Sequence, residues 1–190
     1  MNTAEQTRQR ILDAATEEFA THGIAGARVD RIAQRSGMSK PMIYAYYGAK
    51  EQLFDTVFHA HVIANSDRVP FTAAELPDYA ARLYDDYLAD PALARLVMWK
   101  RLERESTGYL FAGLEDHDLR HLRDIETEQR AGTIRADLDP ADIWALLIST
   151  AATWAQGSMT VVATSADATE LHRRRRTALA EMIRAGLCSH

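Results

Sequence analysis

Apolar residues recur at helical spacing through most of the chain, and no stretch alternates with the period of two that a strand requires. Ile11, Leu12, Ala15 and Phe19 form one stripe, which predicts a helix from about Glu5 to Thr21, stopped by His22-Gly23. Its acids Asp13, Glu17 and Glu18 lie off the stripe and read as a solvated face. Val29, Ile32 and Ala33 mark a short second helix. Ser36-Gly37-Met38-Ser39 breaks it, with Gly37 able to take the left-handed conformation that ends a helix. A third helix opens around Pro41, tolerated in a first turn, and runs to about Tyr47 with Ile43 alone clearly inward. Leu53, Phe54, Val57, Phe58, His61 and Val62 give a fourth helix, to about Asn65, a wide apolar face.

Asp67 to Leu76 carries Pro70 and reads as a loop or partly disordered linker, and Pro77 follows as the start of a fifth helix with Ala80, Leu83, Tyr84, Tyr87 and Leu88 on its apolar side. Asp90-Pro91 opens a sixth, with Leu93, Leu96, Val97, Trp99 and Leu102, and a seventh is predicted from about Tyr109 to Arg130, closed by Gly132. Asp139-Pro140 with Asp142 is a helix start. The helix it opens is expected from Pro140 to Ala163, apolar nearly all round and therefore buried all round. The last opens at Asp167 with Glu170 three residues on, a capping-box-like pair, and carries Leu171, Leu179, Met182, Ile183 and Leu187. The expected class is all-α, with about nine helices.

The stretch from Arg28 to Glu51 holds two short helices crossed by a Gly-containing turn, the helix-turn-helix arrangement whose second helix enters the DNA major groove. Between Gly23 and Lys50 the bases Arg28, Arg31, Arg35, Lys40 and Lys50 face Asp30 alone, a net +4 on a chain whose total is −5. A phosphate backbone attracts such a local field whatever the global charge. On the second of these helices, Lys40, Met42 and Ala45 are candidates for base edges, Lys through a guanine acceptor and Met or Ala against a thymine methyl.

The order Thr7-Arg8, Ile11-Leu12, Ala14-Ala15, Phe19-Ala20, Gly23, Val29-x-x-Ile32-Ala33, Ser36-Gly37-Met38-Ser39, Ile43-Tyr44-x-Tyr46-Tyr47 and Lys50-Glu51-x-Leu53 resembles the amino-terminal DNA-binding domain of the TetR family of transcriptional regulators. The run Gly132-x-Ile134-Arg135-x-Asp137-x-Asp139-Pro140 is similar to one preceding the penultimate helix of that family. The resemblance implies that Tyr44 and Tyr46, beside Pro41, meet the DNA backbone and that Lys50 contacts a phosphate. Arg28 stands where the family usually has a helix-capping Thr; an Arg cannot cap in that way, but it can reach a phosphate. The resemblance further implies a second domain that binds a small effector.

Composition is that of an ordinary globular protein, 47% hydrophobic and 26% charged in 190 residues. The single cysteine, Cys188, excludes an internal disulfide and fits a reducing cytoplasm, and no apolar run approaches the ~20 residues of a membrane span. No cofactor is implied. Charge is uneven: residues 1–66 carry seven bases and seven acids, the remainder fifteen against twenty, so only the front is expected to meet nucleic acid.

Candidates for an effector pocket are Phe58, His61, Tyr84, Tyr87, Met98, Trp99, Leu102, Tyr109 and Trp154, each of which also fits an ordinary core. His117 and His121 share a helix face among Glu115, Asp116 and Asp118, but no third metal ligand stands at a telling distance, so the segment reads as a solvated acidic helix. Arg173 to Arg176 samples every face of its helix and reads as solvated. Ile148, Ala152, Ala155, Leu179, Met182 and Ile183, on the last two helices, are expected to close a homodimer as a four-helix bundle.

The expectation is a helix-turn-helix DNA-binding domain over 1–49 and a helical ligand-binding and dimerisation domain over 50–190. The fourth helix links the two. The function is a cytoplasmic repressor, not an enzyme, bound as a dimer to palindromic double-stranded DNA and released by a largely hydrophobic effector. The alternatives are a small metal-dependent enzyme using residues 115–121 and a helical protein-interaction module.

Overall fold

The computed structural model describes residues 3–111 and 114–189, and all side chains among them but those of Thr3 and His117. Those residues form nine α-helices: α1 (Thr3–Gly26), α2 (Val29–Ser36), α3 (Lys40–Tyr47), α4 (Lys50–Arg68), α5 (Leu76–Ala89), α6 (Pro91–Glu103), α7 (Glu115–Ala131), α8 (Pro140–Ala151) and α9 (Thr169–Leu187). The only β pairing among them is an isolated bridge between Ile134 and Cys188. No helix among the described residues is long and apolar enough to cross a membrane.

Two compact units emerge: residues up to 64 together with 92–110, and 65–91 together with 111 onward. In the first, Ile11, Ala15 and Phe19 of α1 meet Val29 and Ile32 of α2, Ile43 of α3, and Leu53, Phe54, Val57 and Phe58 of α4 in a core at most 7% exposed. Phe19 and Phe54 pack edge to face with ring centroids 5.2 Å apart. Each such buried ring stabilises by about 1.5–3 kcal/mol.

α6 joins this unit through its polar groups as well as Leu93 and Leu96. α1 is broken at Gly23 (φ 72, ψ −177) and resumes for one turn. The Glu103 carboxylate accepts the Ile24 and Ala25 amides at 2.7 and 2.8 Å, and the Trp99 indole donates to the Ala20 carbonyl at 3.2 Å. Lys100 is buried, donates to the Leu110 carbonyl at 2.7 Å and lies 4.4 Å from the Phe58 ring centre.

In the second unit α5 packs mainly against α9 and α8, and α8 against α7. The core holds Tyr79, Leu83 and Tyr84 of α5, Ile125 of α7, Ile143 and Leu147 of α8, and Leu179, Ile183 and Leu187 of α9.

Five expectations change. The helix opened by Pro140 ends at Ala151, not Ala163: residues 152–158 make successive turns, and the Ser158 hydroxyl accepts the Thr160 and Val161 amides. Nor is α8 buried all round, since Leu146 is half exposed. α9 opens after Ala168 with no side-chain cap, because Asp167 is engaged by Thr164 and by Arg175 at 2.6 Å. Arg175 is itself buried, so the arginine run is not simply solvated. α7 begins at Glu115; residues 109–111 are not helical.

Candidate nucleic-acid interface and a cavity in the second unit

α2 has no side-chain cap at Arg28, whose backbone is extended. The Arg28 amide is instead accepted by Glu18 Oε1 at 2.9 Å, and the same carboxylate takes the Arg31 Nε–H at 2.8 Å. Glu18 is thus buried, and its reading as a solvated acid is corrected. Burial acts to raise its carboxyl, but the Arg31 guanidinium and the Arg28 amide together hold it below the usual value. A depressed carboxyl stabilises above the unfolded value of about 4.3, and that contribution disappears as pH falls through the lower folded value. Glu18→Gln is therefore expected to lose about 1–2 kcal/mol at neutral pH. The difference from the parent protein should narrow in acid, as thermal melts across pH would show.

The turn between the helices is made by Gly37 (φ 69), with the Met38 amide donating to Ala33 O at 3.1 Å. The glycine is required by its left-handed conformation; a Cβ there would meet only the far end of the Arg10 side chain, whose guanidinium lies 2.6 Å away and can shift. Ser39 caps α3, accepting the Met42 amide, and Pro41 occupies the first turn. At the other end the Tyr47 phenol, half-buried and pushed up by desolvation, donates to Arg8 O at 3.1 Å.

α3 buries only Ile43. Lys40, Pro41, Met42, Tyr44, Ala45 and Tyr46 are all exposed on a short helix fastened at both ends. Lys50, at the start of α4, directs its ammonium to the Ala27 and Ala25 carbonyls at 3.3 and 3.4 Å. Lys40 pairs with Asp30 at 2.7 Å and Arg35 with Glu17 at 2.8 Å. The +4 counted along the motif thus omits two acids, Glu17 and Glu18, that α1 brings alongside it. α1 also brings Arg8, whose guanidinium lies 5.5 Å from the Tyr46 ring centre, and Arg10 at the turn. Neither was assigned a DNA contact from the sequence, because only the packing of α1 beside the turn and α3 reveals them.

The pocket candidates divide. Tyr84, Tyr87 and Trp154 line a cavity of about 190 Å³ in the second unit, with Leu88, Ala151 and Ala163 among its other walls. Phe58, His61, Met98, Trp99, Leu102 and Tyr109 are not among its walls, because they belong to the first unit. Phe58 is fully buried there, the His61 ring lies 3.1 Å from the Thr16 hydroxyl, and Leu102 and Tyr109 are exposed. His121 is flanked by Trp144 and Phe71, ring centroids 4.5 and 4.8 Å away. The side chain of His117 lies outside the described residues, and among those described no group of three or more potential ligands could hold a metal.

The candidates for the two-fold contact divide as well. Leu179, Ile183 and Ala155 are buried within one chain, and Ile148 and Ala152 are half-buried, whereas Met182 is 65% exposed. The first three therefore cannot also form an outward face. Exposed instead are Ala178, Met182 and Ala185, in one row on α9, and Ala145, Leu146 and Ser149 on α8.

Comparison with known proteins agrees with this architecture. Residues 11–57 match the family model described as bacterial regulatory proteins, tetR family, and residues 75–184 match the tetracyclin repressor-like C-terminal domain. The HTH-type transcriptional repressor SCO4008 of Streptomyces coelicolor is 36% identical over 152 residues, 80% of this chain and 79% of that protein. The repressor NicS of Pseudomonas putida is 35% identical over 136 residues, 66% of this chain and 58% of its own length. The solved structure of SCO4942, also from Streptomyces coelicolor, superposes with a TM-score of 0.79 at 37% identity, covering 95% of this chain and 98% of that one. The metal-dependent enzyme weighed for residues 115–121 finds no support in these relatives. The chain belongs to the TetR family of transcriptional regulators, DNA-binding proteins that act on operators as homodimers and respond to small molecules.

Proposed function

We propose that this protein is a cytoplasmic repressor that binds a palindromic operator as a dimer and leaves it when a small effector fills the cavity of the second unit. The observation that carries the DNA reading is α3, a helix capped and anchored at both ends that buries Ile43 and exposes every other residue but the half-buried Tyr47. Residues 1–49 read DNA in this proposal, and 50–190 sense the effector and dimerise. Lys40, Met42 and Ala45 reach base edges. Arg28, Tyr44, Tyr46 and Lys50 meet phosphates, with Pro41 setting the helix start close to the backbone, and Arg8 and Arg10 extend that contact. The dimer closes through the outward rows around Met182 and Leu146, and two α3 helices then stand about one DNA turn, 34 Å, apart.

Selection of bound duplexes from a random pool tests the reading; recovery of no enriched inverted repeat would refute it. Lys50→Ala is expected to weaken binding about equally on all sequences and to lower the salt slope by ~0.9 per subunit. Lys40→Ala or Met42→Ala should instead relax preference at particular base pairs. An unchanged slope in Lys50→Ala would remove that phosphate contact.

A further inference from the structure

The cavity of the second unit holds more information than its position. Its walls are the aromatic rings of Tyr84, Tyr87 and Trp154, small alanines at 151, 155 and 163, and the polar residues Gln156, Thr164 and Ser165; none of the eleven lining residues is charged. Its volume of about 190 Å³ lies below the ~300–1,000 Å³ of sites that enclose drug-sized molecules.

The charges nearest these walls are already matched with one another. Arg175 lies 5.9 Å from the Trp154 ring centre and donates to Asp167 at 2.6 Å. Asp167 also accepts the Thr164 hydroxyl at 2.9 Å. The Tyr84 phenol is hydrogen-bonded to His172 Nδ1 at 2.7 Å. A cationic ligand would meet a Trp ring whose electron-rich face is already turned to a guanidinium, and would be repelled by it. An anionic ligand would have to draw Arg175 away from Asp167 and leave that carboxylate without its partner. A neutral ligand disturbs neither arrangement. Pro91, Thr164 and Ser165 are exposed, which puts the mouth of the cavity on their side and the alanines at its buried end.

We propose, building on the regulator reading above, that the effector is a small uncharged amphiphile: a planar apolar body of about one ring set among Tyr84, Tyr87 and Trp154, with one hydrogen-bonding group turned to Gln156 and Ser165. The rings supply flat apolar contact, and the alanines supply the space.

The test is calorimetric titration of the full-length protein with benzyl alcohol, benzamide and indole, against benzoate and benzylammonium as charged counterparts of similar shape. The neutral compounds should bind, and the charged ones about 30-fold or more weaker, as expected when an ion is buried without a partner. Ala163→Leu, which fills the buried end, should abolish binding while operator selection is retained. Ser165→Trp, at the exposed mouth, does the same should the first variant fold poorly. Charged compounds binding as tightly as neutral ones, no binding by any neutral compound, or neutral binding untouched by either variant would overturn the proposal. These outcomes are separate from failure of the regulator reading, which shows itself as a ligand-free protein that selects no DNA.

Discussion

Gly23→Ala is expected to destabilise the DNA-reading unit by about 2–3 kcal/mol, roughly 5–10 °C in melting temperature at this chain length. The residue sits at φ 72, ψ −177, a region that residues with a side chain scarcely enter. A Cβ there would also stand 2.6 Å from Glu103 Oε1 and 2.9 Å from Trp99 Cε3. The substitution therefore strains the backbone and pushes away the two α6 side chains that hold the break, Glu103 on the Ile24 and Ala25 amides and Trp99 on the Ala20 carbonyl. Because the Ala25 and Ala27 carbonyls position Lys50, operator affinity should fall along with stability. Glu103→Gln keeps an acceptor oxygen and removes only the charge, so its effect should be smaller and of the same sign. Calorimetric melts of the three proteins decide the matter; a Gly23→Ala protein that melts with its parent would show that α6 does not hold this break.

Met182→Glu should give monomers at micromolar concentration with little change in the fold of each chain. Met182 is 65% exposed on α9, flanked on the same outward side by Ala178 and Ala185, with Leu146 half exposed on α8. A two-fold contact brings the same patch from both copies together, so one substitution places two carboxylates in an apolar contact. Loss of the second half-site should then cost about 10²–10⁴ in operator affinity through lost effective concentration, without any change at α3. Sedimentation and a binding titration on a selected operator measure both effects. Ile183→Glu is the contrasting substitution: that side chain is 2% exposed, in the core of its own chain, so the protein should unfold rather than simply dissociate. A dimer that survives Met182→Glu would move the two-fold contact elsewhere.

Much of the fold was legible because it is local. The stripe of Ile11, Ala15 and Phe19, the stop at Gly37, the opening of α3 around Pro41 and the Asp139-Pro140 start each depend on residues within a turn or two, where helical periodicity and capping chemistry decide the outcome. α3 was readable for the same reason, since one inward residue in eight leaves a helix that can do little except present a surface. The exposed set on it follows from Ile43 alone.

What went astray depends on residues far apart in the chain. Whether Glu18 is solvated is settled by Arg31, thirteen positions on, and whether Asp167 caps α9 is settled by Arg175. Past the end of α8, Trp154 packs edge-on against Tyr84 of α5 beside the Arg175 guanidinium, a contact that the helical pattern of the segment does not register. Sequence by itself determined the all-helical class, the placement of the exposed helix α3 and the family, because those rest on short-range spacing. Only the tertiary structure decided which apolar side chains are core, which line a cavity and which remain outward, as with Leu179 and Met182 three residues apart on one helix. Periodicity tells which residues share a helix face, but burial depends on what the rest of the chain lays against that face.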